Sequence, residues 1–395
     1  MNIGIDIRNI GRRRTGDEVV FFNLVRELLK IDRKNEYLLF IDERTDGDLR
    51  ELARRLGMAD HLSARFVCLP ARNKFDWNAW WLPRYLRTHV VDVYHTQYIV
   101  PLFVPKRTKV VTHIHDVSFR AYPQYISLFD RWLLKGLIPQ SLRRADRVIA
   151  PSEFTKQEII KYYAVPEKKI TVIYNAVAPE FFRGEEWSEE SDREHIDATR
   201  EKYHLPKRFF LYVGTLQPRK NIPMLLEAFD RFRKRNIEGS DIKLVLVGNR
   251  QGHHFDSDID DTVARLGRAS DVLFPGFIDQ EDLPILMGLA MVFVFPSYYE
   301  GFGIPILEAM SRGVPVVASD IPVLREAGGD AALFVAPDEG DRFAEVLQEA
   351  CFSESVREKL REKGLVRARD FSWEKSARDL LVTYEKICFH EKTVS

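Results

Sequence analysis

The feature that most constrains the fold of this chain is a repeated alternation of short apolar runs with amphipathic stretches. In the first half the apolar runs are NIGIDI, YLLFI, RFVCLP, VDVYHTQ, KVVTHIHD and RVIAPS; in the second they are RFFLYVGT, IKLVLVG, DVLFPG, MVFVFPS, VPVVAS and ALFVA. Segments with helical periodicity, such as VVFFNLVRELLK and PMLLEAFDRFRKR, lie between them. This alternation is typical of parallel sheets covered by helices on both faces. It predicts an α/β protein with two doubly wound, Rossmann-like domains.

The domain boundary is predicted near residue 180. A chain of 395 residues exceeds the size of a single hydrophobic core. A charged stretch without strand character, residues 184–204, separates the two blocks. We therefore predict an N-terminal domain at 1–180 and a C-terminal domain at 181–372. The last segment, 373–395, is predicted to be a helix that packs back on the N-terminal domain.

The charge distribution favours an anionic partner for the first half. Residues 1–180 contain 30 Lys and Arg against 21 Asp and Glu, whereas residues 181–395 contain 29 against 38, so the net charge of zero hides an asymmetry. A basic half suits a membrane surface, a phosphorylated acceptor or a nucleic acid, although solvated faces of different sign are an equal alternative. The sequence contains no recognisable nucleic-acid-binding module, so that partner is not expected.

The termini and the cysteines point to a cytoplasmic protein. Met1 leads into a strand-like run that differs from the apolar region of a signal peptide. The longest apolar run, LPILMGLAMVFVFPS, is too short to span a membrane. The scattered Cys68, Cys351 and Cys388 are predicted to be reduced core thiols.

Two loops of the first half follow predicted strands, where ligands of parallel sheets bind. Thr15 and Gly16 precede a helix whose free backbone amides could hold a phosphate, although an ordinary capped turn is the simpler alternative. His115 follows the strand KVVTHIH and lies where a ligand is expected, although a core histidine fits equally well.

Two loops of the second half offer charge at the corresponding positions. Arg219 and Lys220 follow the strand FFLYV and precede a helix, so they predict a diphosphate clamp; a solvated pair is the alternative. In SYYEGFGIPILEAMSRG, Glu300 is predicted to lie in a loop and Glu308 inside a helix. A carboxylate there suits the paired hydroxyls of a sugar or ribose, while a capped helix with a surface glutamate is the alternative.

An acidic segment, HHFDSDIDDTVARL, has the composition of a metal site. Its candidate ligands are Asp256, Asp258, Asp260, Asp261, His253 and His254. The segment lacks the glycine and the final glutamate of a calcium loop, and acids are favoured in the first turn of the helix that follows. We therefore expect no metal here.

Together and in order, these segments resemble the family 4 retaining glycosyltransferases (glycosyl transferases group 1), and bacterial mannosyltransferases in particular. The resemblance extends over nearly the whole chain and includes TGDEVVFFNLVREL, VTHIHDVSF, VIYNAVAPEFF, FLYVGTLQPRKNIPMLLEAF and FSWEKSA. The stretch from Phe277 to Asp338 is the most specific part. The resemblance implies the GT-B fold, in which two Rossmann-like domains face a central cleft and the last helix crosses back to the first domain.

The resemblance also implies a role for each matching residue. The implied catalytic residues are His115 near the transferred sugar, Arg219 and Lys220 at the leaving diphosphate, and Glu300 at the donor sugar. The implied donor-binding residues are Gly16 at the diphosphate, Gly301, Phe302, Gly303 and Ile304 through their backbone, Glu308 at the ribose, and Phe277 and Ile278 beside the base. The first loop has Thr15 and Gly16 where two glycines are common in the family.

The implied activity is retaining transfer of a hexose from a nucleotide sugar, with no cofactor and no metal. GTLQPRKN and LREAGGDAALFVAPDE favour GDP-mannose as donor, and a glycan or lipid-linked acceptor of surface polysaccharide or glycolipid synthesis is expected. The alternatives are a UDP- or dTDP-sugar transferase of the same family, a nucleotide-sugar epimerase and a catalytically silent nucleotide-sugar-binding partner.

One segment of the first half, RNKFDWNAWWLPRYLRTHV, interleaves aromatic and basic residues. They are Trp77, Trp80, Trp81 and Tyr85 among Arg72, Lys74, Arg84 and Arg87. This pattern predicts either a peripheral contact with the cytoplasmic face of an anionic membrane or a core helix with basic flanks.

Overall fold

The computed structural model describes residues 1–11, 16–58, 61, 63–125, 128–182, 192–251 and 255–389. These residues form two compact units. Unit 1 comprises Met1–Asn175 and Ser372–Ser395, and unit 2 comprises Ala176–Phe371. The structure therefore divides the chain a few residues before the expected boundary at 180, and it assigns the last segment to the same unit as the N-terminal sheet.

Unit 1 is built on a parallel sheet of seven strands in the order β3-β2-β1-β4-β5-β6-β7. The strands are β1 (Asn2–Asp6), β2 (Glu36–Asp42), β3 (Ala64–Leu69), β4 (Val93–Gln97), β5 (Lys109–His113), β6 (Arg147–Ala150) and β7 (Ile170–Val172). Because β1 pairs with β2 on one side and with β4 on the other, the direction of strand addition reverses between β1 and β4. Ligands of doubly wound sheets bind at such a reversal, beyond the carboxyl ends of the strands.

The helices of unit 1 connect these strands. They are α1 (Gly16–Ile31), α2 (Asp46–Arg55), α3 (Lys74–Asp76), α4 (Leu82–Thr88), α5 (Ser118–Ala121), α6 (Leu128–Arg144) and α7 (Glu153–Tyr163), with a π-helical turn at Trp77–Trp81 between α3 and α4. Helix α1 forms because apolar residues recur at helical spacing, and Phe21, Leu24 and Leu28 are fully buried on one face.

Unit 2 has a parallel sheet of six strands in the order β10-β9-β8-β11-β12-β13. The strands are β8 (Phe209–Val213), β9 (Lys243–Val247), β10 (Val272–Gly276), β11 (Val292–Phe295), β12 (Val316–Ser319) and β13 (Leu333–Val335). The reversal lies between β8 and β11, which pair directly. Strand β11 is buried along its whole length, as expected of a parallel sheet covered on both faces.

The helices of unit 2 are α8 (Arg193–Lys202), α9 (Ile222–Arg235), α10 (Asp258–Leu266), α11 (Leu283–Gly288), α12 (Ile304–Ser311), α13 (Pro322–Gly328), α14 (Gly340–Phe352) and α15 (Glu354–Arg369). Most of them follow the carboxyl ends of these strands; α8 precedes β8, and α15 follows α14. Proline occupies the first turn of α9 and of α12, where its missing N–H costs no helical hydrogen bond.

The last helix, α16 (Trp373–Phe389), completes unit 1 by packing on α1. Its Ser376 hydroxyl donates to the backbone carbonyl of Tyr174 at 2.6 Å, and Tyr384 is fully buried. The GT-B-like return of the last helix is therefore built from both apolar and polar contacts.

The prediction of core thiols is wrong for one cysteine. All three are unpaired, and Cys351 is buried, but Cys68 is exposed because it lies in β3 at the edge of the sheet. Within the described ranges, no helix is long and apolar enough to cross a membrane.

Candidate active site

The loops that follow β8 and β11 meet at the reversal point of the unit 2 sheet. Arg219 and Lys220 lie in a 3₁₀ turn (Pro218–Lys220) in the loop after β8, and Asn221 then adopts a left-handed backbone conformation (φ 58°) that starts α9. The side-chain amide of Asn221 donates to the carbonyls of Pro296 at 3.2 Å and Pro337 at 2.7 Å. These bonds hold the turn against the end of β11, which fixes both cations at the sheet edge.

Glu300 accepts contacts from both cations. The Lys220 ammonium group forms a hydrogen-bonded ion pair with Oε1 of Glu300, and Arg219 Nη1 lies 3.6 Å from Oε2. Ser297 Oγ donates to Oε1 at 2.7 Å. The side chains of Lys220 and Glu300 are only 7% and 10% exposed. The predicted diphosphate clamp and the predicted sugar-binding carboxylate therefore form one cluster, in which Lys220 and Glu300 are buried and Arg219 is partly exposed.

The charge state of this cluster follows from its contacts. Burial alone would raise the pKa of the Glu300 carboxyl, but Lys220, Arg219 and the hydrogen bond from Ser297 outweigh it and hold this pKa below its ordinary value. Glu300 is thus ionised at neutral pH. The two cations and the one carboxylate of this cluster have a formal net charge of +1.

The backbone also joins the two loops. The Tyr298 amide donates to the carbonyl of Arg219 at 2.9 Å, and Arg219 Nη1 donates to the carbonyl of Tyr299 at 3.1 Å. The position of Arg219 is therefore set from its main chain and from its guanidinium group.

The helix after Glu300 begins where the sequence predicts it. Glu300 lies in the loop and Glu308 lies inside α12, where its side chain is buried. Gly303 caps α12 with a φ of 103°, and a Cβ on it would lie 2.6 Å from Leu324 Cδ2. Only glycine combines this backbone conformation with this close approach.

The remaining donor-binding candidates of unit 2 lie at the same sheet edge. Gly301, Phe302 and Ile304 flank Gly303 at the start of α12, and the Phe302 ring packs edge-on against Phe371 at 5.3 Å. Phe277 and Ile278 follow β10; the Phe277 ring is 66% exposed, whereas Ile278 is buried. Phe277 thus has an open ring face available for stacking.

In unit 1, His115 lies just beyond β5 and is almost fully buried. Its Nε2 is 3.0 Å from Gln97 Oε1, and its Nδ1 is 3.9 Å from Asp17 Oδ1. Gly16 is the exposed first residue of α1, and Asp17 follows it. The start of α1 is therefore close to His115, because Asp17 lies beside the His115 ring. Thr15 lies outside the described residues.

Two further histidines lie beneath His115. The rings of His113 and His115 stack with centroids 4.4 Å apart, and those of His95 and His113 are parallel at 6.0 Å. His95 Nδ1 is hydrogen-bonded to the Tyr384 hydroxyl at 2.6 Å. Burial lowers the pKa of His95 to about 3 and that of His113 well below its usual value, with the nearby His115 as a smaller cause. Both rings are therefore neutral.

The acidic segment is engaged in local contacts. Asp256 Oδ1 accepts from the backbone amide of Asp258 at 3.2 Å, and Asp260 forms an ion pair with Arg250 at 2.7 Å. Among the residues that the structure describes, no group of three His, Cys, Asp or Glu is placed to hold a metal ion. His253 and His254 lie outside the described residues.

The aromatic segment of unit 1 divides between core and surface. Trp77 is fully buried beneath the Arg8 guanidinium group, which lies 4.0 Å from its ring centroid. Phe75 and Trp80 are 78% and 60% exposed. The exposed basic residues beside them are Arg72, Lys74, Arg84 and Arg87.

Four residues of these clusters were not singled out from the sequence. They are Ser297, Asn221, Gln97 and Asp17. Ser297 contacts Glu300 three residues later, whereas the other three contact partners that are distant in the chain. Gln97 is the last residue of β4 and pairs in register with His113 of β5, so its place at a strand end was the available signal.

Two family models and several relatives match this chain over much of its length. The model of the family "Glycosyl transferases group 1" matches residues 195–367, and that of "Glycosyltransferase Family 4" matches residues 14–181. The O-antigen chain mannosyltransferase B of Escherichia coli is 32% identical over 302 residues, which cover 76% of each chain. The O-antigen chain mannosyltransferase RfbU of Salmonella typhimurium is 30% identical, over 62% of this chain and 60% of that protein.

Solved structures share the fold. A glycosyltransferase from Rickettsia africae has a TM-score of 0.73 at 21% identity over 98% of both chains. Anabaena HepE in complex with UDP-glucose has a TM-score of 0.73 at 18% identity, over 98% of this chain and 100% of that one.

Proposed function

The chain belongs to the family 4 glycosyltransferases of the glycosyl transferases group 1, and on that premise we propose that it is a retaining mannosyltransferase that uses GDP-mannose. Its acceptor is a surface glycan or a lipid-linked precursor. The observation that carries the proposal is the ion-pair cluster of Arg219, Lys220 and Glu300 at the reversal point of the unit 2 sheet, in which Lys220 and Glu300 are buried. The preference for mannose rests on the two O-antigen mannosyltransferases to which the chain is similar.

The cluster suits the electrostatic demand of the reaction. When the bond between the anomeric carbon and the phosphate oxygen breaks, its electron pair stays on the diphosphate, which leaves as an anion. Arg219 and Lys220 are fixed beside the N-terminus of α9, so their charges and the helix dipole act where that negative charge develops. Such fixed donors need no reorganisation during the reaction.

Glu300 has a different task in this proposal. It is ionised and still has acceptor capacity on Oε2, which suits a charge-assisted hydrogen bond from a hydroxyl of the donor sugar. Glu308, buried inside α12, is proposed to contact the ribose. The two glutamates are therefore not an acid–base pair.

We further propose that transfer needs no metal ion. Arg219 and Lys220 supply the positive charge that a divalent cation would otherwise bring to the diphosphate. Incubation with EDTA followed by gel filtration is expected to leave the initial rate unchanged. A rate that falls and is restored by Mg²⁺ or Mn²⁺ would refute this part.

The donor is tested with purified protein and acceptor-containing membrane lipid extract. GDP-mannose, UDP-glucose, UDP-N-acetylglucosamine and dTDP-glucose are supplied separately, and both nucleotide release and labelled product are measured. GDP-mannose is expected to give product that an α-mannosidase cleaves, since the donor is α-linked. Product with UDP-glucose instead would favour the second candidate, a UDP-sugar transferase. The motivation for this candidate is the structure of HepE, which was solved in complex with UDP-glucose.

Two outcomes would point away from transfer altogether. Free epimerised sugar without acceptor would indicate an epimerase. Nucleotide binding without any release of nucleotide would indicate a silent binding partner. A thermal-shift series with GDP, UDP, dTDP and ADP separates binding from turnover, because a ligand that binds only the folded state raises its stability.

We also propose that unit 1 contacts an anionic membrane through Phe75 and Trp80. Their exposed rings lie among exposed basic side chains, and Arg87 lies 6.0 Å from the ring of Phe103, itself 55% exposed. Aromatic rings enter the interface while cations attract anionic headgroups.

Vesicle flotation tests this surface. Vesicles with phosphatidylglycerol are expected to retain the protein, and neutral vesicles to retain much less. The double variant Phe75→Ala with Trp80→Ala should lose retention, while the control Val366→Ala, an exposed apolar residue of unit 2, should not. Equal flotation of all three proteins would refute the contact.

A further inference from the structure

Gln97 makes the only hydrogen bond that the described residues give to the His115 ring. The ring Nε2 lies 3.0 Å from Gln97 Oε1. The other nitrogen, Nδ1, is buried without a hydrogen-bond partner among the described residues, since Asp17 Oδ1 at 3.9 Å is too far away. One nitrogen is therefore held by protein, and the other is left for another group.

The orientation of the Gln97 amide is set from a second direction. Asn9 Nδ2, in the loop after β1, donates to the same Gln97 oxygen at 3.2 Å. Gln97 Oε1 can only accept hydrogen bonds, so the His115 Nε2 atom at 3.0 Å from it must be a donor. The neutral imidazole meets this requirement only when its proton is on Nε2.

The backbone beside Gln97 is strained. Tyr98 is a non-glycine residue with a φ of 55°, a conformation that costs an aromatic residue free energy. Its amide donates to the His113 carbonyl at 3.0 Å, and its ring packs 5.5 Å from that of His115. The chain thus turns sharply at the end of β4, which keeps Gln97 and Tyr98 together against His115. Such strain is common where a functional group must be held in one geometry.

The rings beneath His115 give it no proton to share. His113 contacts it only through a stacked ring face, and both His113 and His95 are neutral because they are buried. Asp17 of α1, which is 44% exposed, is a charged group near Nδ1, but at 3.9 Å it is beyond hydrogen-bond distance. Among the described residues, Gln97 is therefore the hydrogen-bonded neighbour that distinguishes the two neutral forms of the ring.

We propose that Gln97 is a positioning residue that holds His115 as the Nε2–H tautomer, so that the Nδ1 lone pair accepts a hydrogen bond from a sugar hydroxyl. The second half of this inference rests on the proposed function, because it takes the ligand to be a sugar. The first half concerns the ring alone. A ring free to change tautomer would present an N–H to the same hydroxyl for part of the time, which weakens the contact.

The tautomer is read directly from ring-¹⁵N-histidine spectra of the full chain at pH 8. His115→Asn identifies the His115 signals by their loss. In the unaltered protein we expect a proton-bearing Nε2 and an unprotonated Nδ1. Gln97→Met, which keeps the side-chain length but removes the acceptor, should give a mixture of tautomers. Gln97→Glu restores an acceptor oxygen and should restore the single form.

Activity supplies the second readout. Loss of one well-oriented hydrogen bond should lower kcat/KM about tenfold in Gln97→Met, with recovery in Gln97→Glu. Asn9→Ala, which frees the Gln97 amide to turn over, should give an intermediate spectrum. Saturating GDP-mannose should shift the Nδ1 signal and leave Nε2 protonated.

The outcomes separate the two proposals. A proton on Nδ1 in the unaltered protein, or an unchanged ring in Gln97→Met, would overturn the role of Gln97. An unshifted Nδ1 at saturating donor would overturn the hydroxyl contact. The expected tautomer pattern in a protein that transfers no sugar would instead refute the proposed function and leave the role of Gln97 standing.

Discussion

The ammonium group of Lys220 and the carboxylate of Glu300 form a buried ion pair that joins the loops after β8 and β11. These strands are hydrogen-bonded neighbours, although some 80 residues separate the two side chains. Removal of either partner leaves the other charge in a poorly hydrated place, which is costly. The two removals should nevertheless differ in their cost in stability. When Lys220 is replaced, Arg219 still lies beside the carboxylate; when Glu300 is replaced, two cations remain next to each other.

Replacement of the Lys220 ammonium group should abolish transfer without unfolding the protein. In Lys220→Met the alkyl chain is retained but the fixed charge at the diphosphate is lost, so we expect kcat to fall by about 100-fold or more. Circular dichroism should remain that of the folded chain, because Arg219 still neutralises Glu300. Lys207→Met, which alters an exposed lysine of the same unit, is the control. Unchanged turnover in Lys220→Met would exclude the clamp.

Glu300→Gln should reveal a pH-dependent contribution to stability. Because the folded pKa of Glu300 is depressed, its ionic contribution is fully present above the ordinary glutamate pKa of about 4.3 and is lost as the pH falls through the folded value. The thermal midpoint of Glu300→Gln should therefore lie below that of the unaltered protein at pH 7, and the gap should narrow below about pH 4.3. A gap that stays constant down to the acid transition would contradict this assignment.

Gly303→Ala should destabilise unit 2. The methyl group would meet Leu324 Cδ2 at 2.6 Å, and the φ of 103° is unfavourable for any other residue. We expect a loss of more than about 1 kcal/mol in the free energy of unfolding. The matched control is Gly136→Ala inside α6, where a Cβ meets nothing within 4 Å, and this change should stabilise the helix by roughly 0.5–1 kcal/mol. Equal effects of both substitutions would show that the cap is not required.

His113→Phe should make the protein less sensitive to acid. Neither ring nitrogen of His113 has a hydrogen-bond partner among the described residues, so an apolar ring replaces it at little cost. Because its folded pKa lies below the unfolded value of about 6.5, the unfolded chain takes up the proton first, and stability falls as the pH drops below 6.5.

Thermal midpoints measured between pH 8 and pH 4 check this prediction. Below pH 6.5, the free energy of unfolding of the unaltered protein should fall by up to about 1.4 kcal/mol more per pH unit than that of His113→Phe. His204→Asn, which changes an exposed histidine, should keep the slope of the unaltered protein. Parallel curves for all three proteins would contradict the buried, neutral state of His113.

The sequence predicted the strands because parallel strands covered on both faces leave uninterrupted apolar runs, as in β8 and β11. It also predicted that Glu300 lies in a loop and Glu308 in a helix, since Pro305 and Gly313 delimit α12. The ion pair of Glu300 with Lys220 was not predictable. It depends on β8 and β11 being neighbours, and strand order is set by packing that a periodicity does not reveal.

The errors and omissions have similar causes. Cys68 is predicted to be a core thiol, but it is exposed and lies in β3, an edge strand of the sheet. The aromatic segment was treated as one feature, whereas the π-helical turn buries Trp77 and exposes Trp80. Gln97 gave no signal of its own, because its contact with His115 is created by the pairing of β4 with β5.

The return of α16 to unit 1 has a consequence for biosynthesis. The sheet of unit 1 and its last helix lie on either side of unit 2 in the chain, so Tyr384, the partner of His95, is synthesised after all the described strands of unit 2. The N-terminal sheet therefore emerges from the ribosome before unit 2 but stays without its covering helix until α16 has been synthesised. A premature stop codon between unit 2 and α16 would thus damage the unit whose sheet is made before unit 2.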